Sequence, residues 1–121
     1  AESLNDLMTL LNATVSDYWN THYSFDKQSV FKTKNLGDDS IYIILINTII
    51  PFLFVYGRLK GIEKFSERAL LFLEQIPPEK NAIINKWNDL KLPARNAYET
   101  QALIQLKSDY CEHKKCLQCY I

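Results

Sequence analysis

The sequence lacks the features that identify several large classes of protein. It has only 3 glycines and no glycine-rich phosphate loop, and it contains neither a His-Glu-x-x-His motif nor a concentration of carboxylates. It has no surplus of positive charge, because 14 basic residues balance 14 acidic ones. A dedicated nucleic-acid binder gains much of its affinity by neutralising phosphates, so the charge does not indicate nucleic acid as a partner. We predict no catalytic residue.

Cysteine is absent until the end of the chain, where Cys111, Cys116 and Cys119 lie close together. An odd, clustered set is a poor disulfide framework, which favours a reducing, cytoplasmic location. No signal peptide is visible at the start of the chain. The first residue is Ala1 rather than methionine, so we expect part of a longer protein. Apolar residues make up 47%, enough for a core. We predict a helical bundle over residues 1–110, with a Cys-rich tail over 111–121 packed on it.

An uncharged, mostly apolar run from Ile41 to Tyr56 is the dominant pattern, interrupted only by Asn47, Thr48 and Pro51. A membrane span needs about 20 apolar residues, so the run is short for that purpose. A buried strand fits only its β-branched beginning. A buried helix fits best, and a helix that is apolar all round is expected to be buried all round.

The residues around this run predict where its helix begins, bends and ends. Asp38, Asp39 and Ser40 supply negative charge and a cap at the start. Pro51 should bend the helix, because proline removes a backbone hydrogen bond and clashes with the preceding turn. Gly57 should end it. Within the helix, Leu45 and Phe52 are expected in the core, and Asn47 is expected to bond a backbone group or a neighbouring helix.

Other segments repeat apolar residues at helical spacing, which predicts an all-α fold: a small bundle of about five to six helices around the central, proline-bent helix. Short connections predict antiparallel neighbours. Arg95 and Glu99 are spaced for an i,i+4 ion pair. The expected helices cover residues 3–13, 15–25, 62–76, 94–110 and a segment that starts at Pro78 or Glu79 and runs to about 90. Ser16 is expected to cap the helix over 15–25, with Trp19 and Tyr23 on one of its faces. Residues 26–39 are expected to form a loop.

Three stretches resemble the C-terminal part of the bacterial domain of unknown function 2851 family. They are INTIIPFLFVYG (46–57), PPEKNAIINKW (77–87) and NAYETQALIQLKSDYCEHKKCLQCYI (96–121). The resemblance runs from about Tyr18 to the end, and its most specific parts are the cysteine tail and the apolar run with its proline. It implies a helical portion of a longer protein and no particular activity.

The tail carries the residues with the most chemistry. Cys111, Cys116, Cys119 and His113 could bind zinc, since thiolate and imidazole are good zinc ligands, but four ligands within nine residues make a cramped site. The three cysteines could instead take a fourth ligand from elsewhere, or hold an iron–sulfur cluster, which needs a further cysteine. Cys116 and Cys119 could also form a redox pair, with lysines nearby. Three reduced thiols packed on the last helix are the simplest alternative.

These observations favour a non-catalytic helical module that packs on the rest of its own chain or associates with a second copy, with no membrane as partner. The alternative is a metal-binding or nucleic-acid-linked domain whose cysteine tail completes a site in a longer protein. No cofactor is certain, and zinc or an iron–sulfur cluster are the two candidates.

Overall fold

The structure, a computed structural model, describes residues 2–119. These residues form five helices and one small hairpin, which confirms the all-α prediction. The longest helix contains the apolar run and packs on other helices, as expected. The elements are α1 (Leu4–Leu11), a 3₁₀ turn (Asp17–Asn20), β1 (His22–Ser24), β2 (Lys27–Gln28), α2 (Asp38–Lys60), α3 (Glu63–Gln75), α4 (Ala82–Asp89), α5 (Ala97–Leu106) and a second 3₁₀ turn (Cys116–Gln118).

The chain divides after Asn47, inside α2, into two compact units. In the first unit, α1 packs on the first α-helical part of α2, Asp38–Ile44. A capping box starts α1: the Asp6 amide donates to Ser3 Oγ (3.2 Å), and the Ser3 amide donates to Asp6 Oδ2 (3.1 Å). The predicted division into residues 1–110 and 111–121 stays a prediction.

The segment predicted as a helix over residues 15–25 is different, and that prediction is wrong. After the first 3₁₀ turn the chain forms antiparallel strands β1 and β2, in which His22 pairs with Gln28. Asp26 adopts a left-handed conformation (φ 58°) between the strands, which lets the chain reverse. Trp19 and Tyr23 therefore do not share a helix face. Tyr18 instead stacks on His22, with ring centroids 3.9 Å apart.

Helix α2 begins and ends elsewhere than predicted. Its N-cap is Gly37 rather than Ser40, and Asp38 and Asp39 occupy the first turn. The helix runs through Gly57 and ends at Lys60, where Gly61 takes the left-handed conformation (φ 67°) that is typical of a helix C-terminus.

The turn Leu45–Ile49, just before Pro51, is a π-helix. Proline lacks an N–H and its ring clashes with the carbonyl four residues earlier, so regular α-helical bonding is disfavoured there. Interruptions of regular α-helical bonding are commonly accommodated by a single π turn. Asn47 donates from Nδ2 to the Ile43 carbonyl (2.9 Å), which confirms the predicted bond to a backbone group.

Gly57 has a packing role in the second unit. Helix α3 lies against the Ile50–Lys60 part of α2, and a Cβ on Gly57 would come within 2.7 Å of Ser66 Oγ and 2.8 Å of the Ser66 backbone nitrogen. Ser66 Oγ donates to the Phe54 carbonyl (2.9 Å) across the same contact. The absence of a side chain at Gly57 therefore lets the two backbones approach.

Helices α4 and α5 complete the second unit, with α5 packed on α3 and on α4. Both start later than predicted, because asparagine caps them. Asn81 Oδ1 accepts from the Ile84 amide and Asn96 Oδ1 accepts from the Glu99 amide, each at 3.0 Å. Apolar side chains from every helix except α1 are buried: Ile41, Leu45, Ile46, Ile50, Ala69, Phe72, Ile76, Ile84 and Ala97.

The expectation that α2 is buried all round is wrong. Its most apolar 18-residue window is 28% buried, and Phe52, predicted in the core, is 68% exposed. With 23 residues and a mean hydropathy of 1.9 in that window, α2 is also long and apolar enough to cross a membrane by length and composition. A core helix of a soluble protein passes the same test.

Candidate functional site

Helix α5 carries the cysteine tail, and local interactions fix its start. The Arg95 guanidinium donates to Glu99 Oε1 from Nη2 (2.7 Å) and from Nε (2.9 Å), which confirms the predicted i,i+4 ion pair. The Arg95 amide also donates to Glu99 Oε2 (2.7 Å). These bonds to Arg95 hold the pKa of Glu99 below its usual value.

After α5 the helix continues as a π turn, Lys107–Cys111, and the chain then folds back. The Glu112 amide donates to the Lys107 carbonyl (2.9 Å), and the Lys115 amide donates to the Tyr110 carbonyl (2.9 Å). Lys114 adopts a left-handed conformation (φ 53°), which reverses the chain direction before the second 3₁₀ turn. The prediction that the last helix ends near Tyr110 is confirmed.

This reversal places the three cysteines around one cavity of about 190 Å³. The cavity, called the thiol pocket here, is lined by Trp87 of α4, by Leu106 and Tyr110, and by Cys111, Cys116 and Cys119. All three cysteines are free thiols; Cys111 and Cys116 are exposed, and Cys119 is half-buried. The pocket therefore combines three nucleophilic sulfurs with aromatic and aliphatic walls.

His113, the fourth predicted metal ligand, does not line the thiol pocket. It borders a different cavity, with Tyr110 and Lys115 among its neighbours. Within residues 2–119, no group of three or more His, Cys, Asp and Glu side chains is placed to hold a metal ion. The assignment of zinc or an iron–sulfur cluster to Cys111, Cys116, Cys119 and His113 stays a prediction.

A charge pair stands beside the pocket. Lys107 Nζ donates to Glu112 Oε1. This hydrogen bond, and then the lysine charge itself, hold the pKa of Glu112 below its usual value. The pair links the first residue of the π turn to the residue that follows it, so it supports the turn that carries Cys111.

A second candidate surface is the exposed side of α2. Phe52, Val55 and Leu59 are 68%, 51% and 81% exposed. Val55, Tyr56 and Leu59 follow Phe52 by three, four and seven residues, which is the helical repeat, so the four residues form one stripe. We call these four residues the α2 stripe. A contiguous exposed apolar surface of this kind is typical of an interaction site.

Sequence reasoning missed one polar contact that positions α5. Glu79, in the connection before α4, accepts from Gln101 Nε2 (2.7 Å) and from the buried Thr100 Oγ1 (3.5 Å). The Ala97 amide donates to the Ile76 carbonyl (2.9 Å) nearby. No local pattern indicates these contacts, because the partners are about twenty residues apart in the chain.

Comparison with known proteins identifies the family. The model of the family described as "Protein of unknown function (DUF2851)" matches residues 1–82, more than half of the chain. The chain belongs to the DUF2851 family. The match includes the apolar run but ends within the second resembling stretch, so the DUF2851 match does not reach the cysteine tail. No curated protein and no solved structure matches the chain.

Proposed function

We propose that this DUF2851 chain is a non-catalytic helical module that associates with a second copy of itself through the α2 stripe. The observation that carries the proposal is the exposure of Phe52 and Leu59, at 68% and 81%, on a helix whose opposite side is in the core. When a partner covers a row of exposed large apolar side chains, their removal from water lowers the free energy of association.

The charges at the two ends of α2 favour a second copy as that partner. Asp38 and Asp39 lie in its first turn, and Arg58 and Lys60 in its last, and all four are exposed. When two copies of α2 pair antiparallel, each acidic end meets a basic end, whereas parallel pairing brings like charges together. Such a pair has two-fold symmetry, the commonest arrangement of homo-oligomers.

The whole chain also presents little electrostatic resistance to self-association, because its formal net charge is zero. The α2 stripe contains no charged residue. The packing of the rest of a longer chain on this stripe, and the insertion of α2 into a lipid bilayer, are the competing occupants. Both are outcomes of the experiments below.

Sedimentation velocity over a range of protein concentrations tests the proposal. We expect the unchanged chain to form dimers, and Phe52→Glu to shift it to monomer, because association would bury an unpaired charge. Val30→Glu is the matched control, since Val30 is 88% exposed and lies outside α2. A chain that is monomeric at every concentration, or that pellets with phospholipid vesicles instead of dimerising, contradicts self-association.

Charge reversal tests the antiparallel arrangement. Asp38→Lys with Asp39→Lys, or Arg58→Glu with Lys60→Glu, should each weaken the dimer. Mixing the two doubly substituted chains should restore pairing, because both ends of one chain are then positive and both ends of the other are negative. Combining all four substitutions in one chain should restore pairing, since every antiparallel contact is again between opposite charges. Failure of the combined variant to recover dimerisation, while it stays folded, rules out this arrangement.

The alternative function, a metal-binding or nucleic-acid-linked domain, is kept as a second hypothesis on the ground that three thiols line one cavity. Metal analysis of protein purified without chelator separates it from the association module. We place either function in the cytoplasm, where free thiols persist.

A further inference from the structure

Cys116 begins a 3₁₀ turn, and Cys119 is the residue that directly follows it. The turn is Cys116–Gln118, and the Cys119 amide donates to the Cys116 carbonyl (3.3 Å). A 3₁₀ helix has three residues per turn and rises about 2.0 Å per residue, so residues three apart are stacked with Cα atoms about 6 Å apart. A disulfide needs a Cα separation of about 4.4–6.8 Å. The backbone is therefore already suited to a Cys116–Cys119 bond.

The side chains are also directed to a common place, because both cysteines line the thiol pocket. Their exposure differs: Cys116 is exposed, whereas Cys119 is half-buried. An external reagent thus reaches Cys116 more readily than Cys119. Cys111 lines the same pocket from the π turn, on the far side of the chain reversal.

We propose that Cys116 and Cys119 form a reversible thiol–disulfide site whose oxidant is a low-molecular-weight disulfide. The Cys116 thiolate attacks one sulfur of that disulfide, forming a mixed disulfide and releasing one small thiolate. The Cys119 thiolate then attacks the Cys116 sulfur, forming the internal disulfide and releasing the second small thiolate. The two protons lost from the protein thiols pass to the two released thiolates, and excess small thiol reverses both steps.

The site is independent of the proposed association, since it uses no residue of the α2 stripe. A tight turn that places both thiols at one pocket makes the second step intramolecular, which raises its rate over capture of another small thiol. The internal disulfide should therefore accumulate in preference to a mixed disulfide at Cys116.

The test equilibrates the full chain with mixtures of reduced and oxidised glutathione in the presence of a metal chelator. Acid quenching, alkylation of free thiols and peptide mass spectrometry then give the state of each cysteine. We expect a peptide lacking two hydrogen atoms, with Cys116 and Cys119 both protected and Cys111 alkylated. Reduced glutathione in excess should restore alkylation at all three positions.

Three serine variants make the test specific. Cys111→Ser, the matched control, should form the internal disulfide as fully as the unchanged chain. Cys119→Ser should stop at a glutathione adduct on Cys116, and Cys116→Ser should lose the internal bond. The proposal is overturned if the unchanged chain gives only separate glutathione adducts, or if Cys111 pairs with either partner as readily as Cys116 and Cys119 pair with each other.

Discussion

The two sides of α2 have the same apolar chemistry and different surroundings. On one side, Ile41, Leu45 and Ile50 are at most 2% exposed. On the other, the α2 stripe includes Leu59, which is 81% exposed. Burial thus follows the angular position around the helix, which depends on where neighbouring helices pack, and the hydropathy of the run does not reveal it.

An apolar helix in a folded unit can serve two purposes at once. Its buried side contributes to the stability of the monomer. Its exposed side contributes almost nothing to the stability of the monomer. That side stabilises the folded chain only when a partner covers it. Substitutions on the two sides of α2 separate these two contributions.

The largest effect is expected from a matched pair of leucines on α2. Leu45→Ala should lower the free energy of unfolding by about 2–5 kcal/mol, because a fully buried side chain leaves a cavity. Leu59→Ala should cost about 0.5 kcal/mol or less at a concentration where the chain is monomeric. Urea unfolding measures both. Equal losses for the two variants would remove the distinction between the sides of α2.

An intermediate effect is expected at Gly57, on the contact between α2 and α3. Gly57→Ala should cost about 1–3 kcal/mol, since the added methyl group meets backbone at Ser66 and Ile62 that must move away. Gly37→Ala is the control, because nothing lies within 4 Å of a Cβ there. Thermal unfolding compares them. If Gly57→Ala is as mild as Gly37→Ala, the close approach of the helices is wrong.

The smallest effect on stability is expected from an exposed ion pair outside α2, that of Arg95 and Glu99. Arg95 lowers the pKa of Glu99 from its ordinary value of 4.5, so the pair stabilises the fold above that pH, and the contribution is lost as the pH falls through the lowered folded-state pKa. Glu99→Gln should therefore be slightly less stable than the unchanged chain at neutral pH and equal to it in strongly acid solution. Thermal unfolding across pH checks this; a difference that persists in acid would contradict it.

The sequence predicts helices well where apolar spacing and proline agree. The helix predicted over residues 62–76 is observed as Glu63–Gln75, ahead of Pro77. Helix ends are harder to predict, because several residues can play the same role. Gly57 and Gly61 are both suited to end α2, and the packing of Ser66 against Gly57, a tertiary contact, decides between them. Local aromatic spacing likewise failed at Trp19 and Tyr23, where the turn at Asp26 overrides it.

The candidate site was predictable in part. The spacing of the cysteines indicated a shared location, and all three line one cavity. The separation of His113 from them depends on the direction in which the chain reverses at Lys114, a backbone choice that spacing alone does not determine. The α2 stripe was not predicted, because exposure is a property of the packed structure.

The dependence of the melting temperature on protein concentration tests the association through α2 most directly. Association of folded chains stabilises them by mass action, so the melting temperature of the unchanged chain should rise as the concentration increases. Phe52→Glu should melt at the same temperature as the unchanged chain at high dilution and should show no rise. A melting temperature of the unchanged chain that does not change with concentration would contradict the account.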